Sequence, residues 1–511
     1  MPSKAGRAVY FKNRNERTDM DGKLLPEEFL NEMKALLGSE YEDYLASLKE
    51  PWRPGLRVNT LKAEPEEVNQ LLGWNLKPVS WVREGFYYHP ALRPARHPAY
   101  YAGLYYLQEP SAMTPGALLP VKPGQRILDL CAAPGGKSTQ LAARLQGHGL
   151  LVSNDASASR ARALLKNLEL AGAANICVTA ETPQRLAQAF PEFFDGVLVD
   201  APCSGEGMFR RDESMVKDWL LKGPDYYAPI QREILAQAVG LVKPGGLILY
   251  STCTFSPRED EGTVEAILQQ FPQMELVSLE PSLVLGAAES RRLPGALRLF
   301  PHRLAGEGHF LALLKKTGQT GKMAVGEGRD LAWAGAGGTK ARRRGGRLGD
   351  GGRKGARGAG SRETGVSFAS SSKEAKIGPE AAEFMARCGL SPREERLKRV
   401  GEDIYLLPEG LEPPGALHYL RTGLFLGTEK KGRFEPSQAL AMALLSGQYP
   451  DRAEFSMEDP WVLRYLKGET LPWSGQGIGW RLVCAQGWPL GWAKAAGTSL
   501  KNKYYPGWRW Q

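Results

Sequence analysis

The chain has 511 residues, 42% of them hydrophobic, and a net charge of +10 at neutral pH. That length exceeds one core and predicts two to four domains. No apolar run approaches the roughly 18 residues needed to span a bilayer, and the N-terminal stretch MPSKAGRAVYFKNRNERTD lacks the apolar centre of a secretory signal. The six cysteines (131, 177, 203, 253, 388 and 484) form no C-x-x-C pair, and the six histidines show no metal spacing. Neither a disulfide framework nor a metal site is expected, and a reducing cytoplasm fits.

In chain order, residues 1–100 read as a small module: helical LPEEFLNEMKALLG (25–38), then LRVNTLK (56–62), then an aromatic-rich segment. Residues 101–317 hold a second unit. Its strand-like runs are RILDL (126–130), LLVSN (150–154), NICVT (175–179), GVLVD (196–200), LILYS (247–251) and HFLALL (309–314). Helical patterns lie between them. Ala161, Leu164, Leu165 and Leu168 recur at i, i+3, i+4 and i+7, which stripes one helix face. The LVKPGG stretch (241–246) reads as a turn that closes a helix and launches a strand. Such alternation predicts a doubly wound, Rossmann-like α/β domain with a mostly parallel sheet.

Residues 318–375 are Gly-rich without hydrophobic periodicity and are expected to be a disordered linker. Within them, 335–360 carries eight Lys/Arg and one acid, which is +7 of the +10, so the folded parts are close to neutral. Two compatible readings are a solvated tether and a polycationic arm that gathers RNA through its phosphates. Residues 376–511 form a further unit ending in short Gly- and Trp-rich pieces that suggest a small β-barrel. Trp473, Trp480, Trp488 and Trp492 read as barrel core rather than a base-stacking platform.

Ligands of such sheets sit beyond the carboxyl ends of the strands, so the loops there carry the chemistry. The first, DLCAAPGGKSTQLA from Asp129, looks like an NTPase loop, yet Cys131 stands where G-x-x-x-x-G-K-[ST] needs glycine. Asp155 follows the next strand, 19 residues after Gly136, at the spacing of a ribose-diol acceptor; the bland alternative is a helix cap. An adenosine-type cofactor without a triphosphate cradle follows, and S-adenosyl-L-methionine fits. Cys203 and Cys253 stand at two further strand ends in polar, turn-rich settings. Most free cysteines are small buried hydrophobes, but two such neighbours are harder to read as filler.

DLCAAPGGKSTQLA, DAPCSGEGMFRR (200–211) and STCTFSPREDEG (251–262), with YLQEPSAM (106–113) and LRVNTLK, together resemble the Nop2/Sun (NSUN) family of RNA cytosine-C5 methyltransferases. Beyond the linker, LFLGTEKKGRFEPSQALAMAL (424–444) and KNKYYPGWRW (501–510) are similar to the tail of bacterial RsmF-type 16S rRNA methyltransferases. The resemblance implies an N-terminal RNA-binding module and a C-terminal PUA-like RNA-binding domain. It also implies a monomer acting on RNA of the small ribosomal subunit, with no membrane partner. Cys131, Ala132, Ala133, Pro134, Gly135, Gly136 and Lys137 would contact the cofactor, with Asp155 on its ribose. Asp200 would bind between cofactor and base, Cys253 would be the nucleophile, and Cys203 would release the product. One departure stands out: where many relatives place an aspartate near the adenine, this chain reads Ala180-Glu181-Thr182-Pro183, leaving Glu181 or Thr182 for that contact.

The implied chemistry explains the cysteines. Cytosine C5 takes a methyl group only after a thiolate adds to C6, and a free thiol of pKa about 8.5 supplies only a few per cent thiolate near neutrality. The base must also leave its stack. The rivals are a tRNA methyltransferase of the same class, a catalytically idle RNA-binding assembly factor, and an NTPase. Cys131 weakens the last.

Overall fold

In a computed structural model, the described residues are 16–18, 24–318, 377–411, 413–415 and 417–510. The predicted linker from 319 onward, with its 335–360 charge cluster, lies outside them. At the centre is a ten-stranded sheet. Its parallel strands lie in the order Val242–Thr252, Phe194–Asp200, Arg126–Asp129, Leu150–Asn154, Ile176–Thr179. His309–Lys316 pairs antiparallel with Val242–Thr252.

These strands read as unbroken apolar runs because both faces are covered. Leu128, Val152, Val197, Val199, Ile248 and Phe310 face one layer, closed by helices Pro183–Ala189, Gly223–Leu241 and Glu261–Gln270. Their strand neighbours Ile127, Leu151, Leu198, Leu249 and Leu311 face the other, closed by Gly136–Leu145 and Ala158–Leu170. The predicted helix stripe holds: Ala161, Leu164 and Leu168 are buried, and Leu165 is partly buried against the same layer. The predicted turn at 241–246 sits inside a strand, where Val242 still pairs with Phe194 and the ladder resumes at Gly196 and Leu247. It is a bulge in the ladder.

The order of strands decides where a ligand can go. The chain steps outward from Arg126–Asp129 through Leu150–Asn154 to Ile176–Thr179, then returns to the other side of the first strand as Phe194–Asp200. The resulting switch point opens a crevice between the carboxyl ends of Arg126–Asp129 and Phe194–Asp200.

The flanking units lock onto this core. A four-stranded sheet (Lys77–Val79, Val82–Tyr87, Gly55–Val58, Tyr105–Leu107) builds the N-terminal module. Its leading helix, Glu27–Leu37, buries Phe29, Met33 and Leu37 against Phe209, Trp219 and Phe255 of the central domain. Beyond the linker, one four-stranded sheet precedes a curled five-stranded half-barrel. Trp492 and Trp488 are buried in it as expected, while Trp473 and Trp480 are half-buried.

The sequence boundary at 376 is not a boundary in hydrogen bonding. Tyr419–Thr422 adds an antiparallel edge strand to the central sheet beside Ile176–Thr179, and Leu411, Leu417 and Tyr419 enter its hydrophobic layer. Gly423 turns the chain from this strand into the next sheet at φ +70, where a Cβ would lie 2.1 Å from the Leu406 carbonyl oxygen, so a side chain cannot be fitted without moving backbone. Burying this strand makes the C-terminal unit part of the catalytic fold. Residues 1–318 and 377–511 expressed as separate chains should therefore elute together from a sizing column. Separate elution would show that the shared strand is too weak to hold the two units.

Candidate functional site

The opening glycine loop is shaped by crowding. Gly135 has φ +114, and a Cβ there would stand 3.2 Å from Leu164. At Gly136, a Cβ would stand 3.1 Å from the Tyr106 ring and 3.2 Å from Gln108. The Gly136–Leu145 helix starts there. Arg57 of the N-terminal module braces the turn from behind, donating to Gly136 O (2.7 Å), to Thr139 Oγ1 (2.7 Å) and to Gln108. Gln108 in turn donates to Ala112 O, and Glu109 accepts from the Ser111, Ala112 and Glu307 amides. LRVNTLK and YLQEPSAM are thus the scaffold of the loop.

Cys131, Ala132 and Ala133 form the loop wall, and Cys131 is only half-buried. A cis peptide joins Ala133 to Pro134. Under the loop, Asp129 accepts from Ser138 Oγ at 2.7 Å through Oδ2, while Oδ1 is buried with no hydrogen-bond partner. Burial pushes the Asp129 carboxyl up to about 7.

Asp155 accepts the Ser157 amide through Oδ1 (2.9 Å), and its Oδ2 lies 3.3 Å from the Arg160 guanidinium. The cap of the Ala158–Leu170 helix is Ser157, whose side chain accepts from Arg160 N. Asp155 is therefore not needed as that cap. Its Oδ2 partner, Arg160, is partly exposed and also donates to Ala133 O at 2.9 Å, which holds the carboxylate against the loop wall.

Asn154 was missed by sequence reasoning, since a buried asparagine at a strand end has no local signature. Its amide donates to Leu130 O and Glu181 O, and its oxygen accepts from Thr179 Oγ1 and the Glu181 amide. All of its side-chain bonds go to knitting three strand ends together.

At 180–183 both candidate side chains have partners within the protein. Glu181 is buried, accepting from the His418 amide (2.6 Å) and pairing with Arg185 (3.0 Å). His418 O in turn accepts from Ala180 N. Thr182 caps the Pro183–Ala189 helix. Both candidate side chains hold the loop in place, and Glu181 ties it to the C-terminal edge strand.

Across the crevice, Lys137 does not point at an open pocket. Its ammonium lies 2.7 Å from Asp200 Oδ2. Asp200 Oδ1 accepts from Ser251 Oγ at 2.8 Å, and His309 Nε2 stands 3.6 Å away, too far for a hydrogen bond. Burial acts to raise the Asp200 carboxyl, but the Lys137 ammonium and His309 outweigh it and hold it well below the usual carboxylate range. His309 was read only as part of a strand; nothing in HFLALL marks it.

Parallel register sets Asp200 opposite Ser251, so the loops that follow run side by side. Cys203 Sγ and Cys253 Sγ are 3.3 Å apart. Both are half-buried, whereas Cys177, Cys388 and Cys484 are buried core. The hydrogen bond to Cys253, with burial, pushes the Cys203 thiol well up. Buried carboxyls stitch the two loops: Glu259 accepts from Ser204 N and Gln231 Nε2, and Glu206 accepts from Trp219 Nε1 and the Phe255 amide. Burial raises Glu206 to about 8. Arg298 then pins the second loop through Asp260, Glu261 and Phe255 O. Among the described residues, no group of three His, Cys, Asp or Glu is placed to hold a metal.

Two outcomes test this geometry. Asp155→Ala should weaken S-adenosylmethionine binding by about 1.5–3 kcal/mol in calorimetry and barely alter thermal unfolding, because Ser157 remains as the cap. Unchanged affinity would remove Asp155 from the cofactor site. Arg298→Met leaves two buried carboxyls without their cation and should cost about 3–5 kcal/mol in denaturant unfolding.

Comparison with known proteins follows the same division of the chain. Residues 116–315 match 16S rRNA methyltransferase RsmB/F, and 25–110 match the N-terminal domain of 16S rRNA methyltransferase RsmF. Residues 383–444 match the RsmF rRNA methyltransferase first C-terminal domain, and 452–510 match the methyltransferase RsmF PUA domain. A ribosomal RNA small subunit methyltransferase F from Klebsiella pneumoniae is 32% identical over 94% of this chain and 95% of its own. One from Pectobacterium atrosepticum is 39% identical over 58% of this chain, a match that spans 63% of that relative's length. A methyltransferase homolog protein from Pyrococcus horikoshii superposes with TM-score 0.50 at 28% identity, covering 56% of this chain and 93% of that one. NSun6 from the same organism, at 21% identity and TM-score 0.50, covers 57% and 99% and shares the fold. With identity sustained along 94% of its length and four successive matches in order, the chain belongs to the RsmF family of 16S rRNA methyltransferases.

Proposed function

We propose that this protein makes 5-methylcytosine in RNA of the small ribosomal subunit, using S-adenosyl-L-methionine and a covalent bond between Cys253 and cytosine C6. The observation that carries the reading is the pair of half-buried thiols 3.3 Å apart beside an ionised, half-buried Asp200. A packing role would need neither their exposure nor their polar surroundings.

The first loop fits the cofactor. The partnerless Asp129 Oδ1 is an acceptor under the loop for a cationic amino group, and Asp155 Oδ2 is an acceptor for a ribose diol. The glycine turn leaves the backbone bare where a ligand must approach. When bound, the cofactor supplies an electrophilic methyl on a sulfonium.

The remaining chemistry belongs to the side chains. The Cys253 thiolate adds to C6 of a cytosine turned out of its stack, and the C5–C6 π pair moves to C5. The C5 carbon takes the methyl group, whose bond to sulfur breaks. Solvent water takes the C5 proton, the C5–H pair re-forms the C5–C6 double bond, and the C6–S pair leaves on the Cys253 sulfur, which returns the aromatic ring. Cys203, held as a thiol against the Cys253 sulfur, is placed to protonate that sulfur as it departs. Asp200, kept ionised, accepts from the exocyclic amine of cytosine and so favours this base over uracil, whose carbonyl has no proton to give. The reaction belongs in the cytoplasm, where small-subunit RNA is found.

The two cysteines should fail differently. Cys253→Ala should abolish methylation and any adduct. Cys203→Ala should still add and transfer methyl but stall at elimination, accumulating a protein–RNA complex that survives denaturing electrophoresis. The double variant should lose that complex. Turnover by Cys253→Ala, or an adduct formed through Cys203 in its absence, would reverse the assignment.

A further inference from the structure

On the N-terminal module, beside the loop that carries Cys203, lies a cavity of about 520 Å³. Trp52, Tyr88, Arg93, Arg96 and Leu107 line it together with several prolines, and no acidic side chain does. Trp52 is 39% exposed, unusual for an indole with no core duty. The Arg211 guanidinium sits over its ring, 5.1 Å from the centroid. Arg93 and Arg96 are exposed and form no ion pair among the described residues.

The groove is tied to the catalytic centre at two points. Arg211, whose guanidinium covers the Trp52 ring, lies eight residues beyond Cys203 in sequence, so the segment that follows that thiol borders the groove. Its neighbour Arg210 turns inward to a buried pair with Glu307 (2.8 Å) and to Ser47 O (3.0 Å), which fixes the loop against the module. At the other end, Leu107 lines the groove while the adjacent Gln108 packs on Gly136 of the cofactor loop.

We infer that this groove holds an unpaired nucleotide of the RNA strand next to the target cytosine, its base against Trp52 and Tyr88 and its phosphates on Arg93 and Arg96. A flat aromatic face stacks any base, arginines with no acid nearby select a polyanion, and strands whose bases are splayed out are what such surfaces take. The inference rests on RNA being the substrate. Anchoring a flanking nucleotide there keeps the strand in place after the target base has left its stack, which the C6 chemistry requires.

The test uses the full chain and a fluorescently labelled 12-nucleotide single-stranded RNA with one central cytosine, read by anisotropy across a salt series. Trp52→Ala should weaken RNA binding about 5- to 100-fold, the range for losing a base–aromatic stack, and Trp52→Phe should recover most of it. Arg93→Ala/Arg96→Ala should flatten the logarithmic salt slope by about 1.4, from two phosphate contacts on a single strand; the double lysine variant should retain it. S-adenosylmethionine affinity should stay at the wild-type level in every variant, which separates a lost groove from a damaged fold. Wild-type RNA affinity and slope in the alanine variants would overturn the inference. So would a proline-rich peptide that binds wild type, but not Trp52→Ala, while RNA binding is unaffected. Because the readout is binding, a wild type that holds RNA without methylating it would sink the proposed reaction and leave this test legible.

Discussion

One carboxylate gathers the catalytic end of the fold. Asp200 takes Lys137 from the Gly136–Leu145 helix on one oxygen and Ser251 from the neighbouring strand on the other, with His309 of a third strand close by. An ionised group that is only partly exposed is favoured while these partners stay in place. The crevice between the two strands is therefore held at one width. The same strand register that sets Asp200 opposite Ser251 brings Cys203 and Cys253 to 3.3 Å. Charge placement and thiol placement are two consequences of one hydrogen-bond ladder.

Around that ladder, units that are separate in sequence are joined in the site. Arg57 reaches from the N-terminal module to the glycine turn, and Glu181 fastens the loop at 180–183 to the C-terminal strand through His418. Asn154 closes the gap between them. A cofactor seated here would touch walls supported from three parts of the chain, so damage to a flanking unit should be felt as weaker cofactor binding as well as weaker RNA binding.

What could be read beforehand followed from periodicity and turn chemistry. Each strand run from RILDL to HFLALL became a strand of the central sheet, because runs apolar on both faces have few other places to go. The loops after them were legible because Gly-Gly, Asp and Cys at strand ends are costly without a purpose. The edge strand Tyr419–Thr422 was not legible. Its four residues alternate no more clearly than a loop, and its partner lies more than 200 positions away in sequence. Asn154 and His309 escaped for a related reason: their importance lies in what surrounds them, and no neighbour in sequence signals it. The stretch 241–246 closes the Gly223–Leu241 helix and launches the next strand as expected, and the register shift it adds to the ladder has no local signal.

The central claim is that Cys253, and not Cys203, bonds to the base. RNA carrying 5-fluorocytosine tests it on the unaltered protein, since fluorine at C5 cannot leave as a proton and the adduct cannot eliminate. After incubation with S-adenosylmethionine and digestion, mass spectrometry should find the peptide containing Cys253 carrying a methylated fluorocytosine nucleotide. The same mass on the peptide containing Cys203, or no adduct on either while ordinary RNA is methylated, would contradict the account.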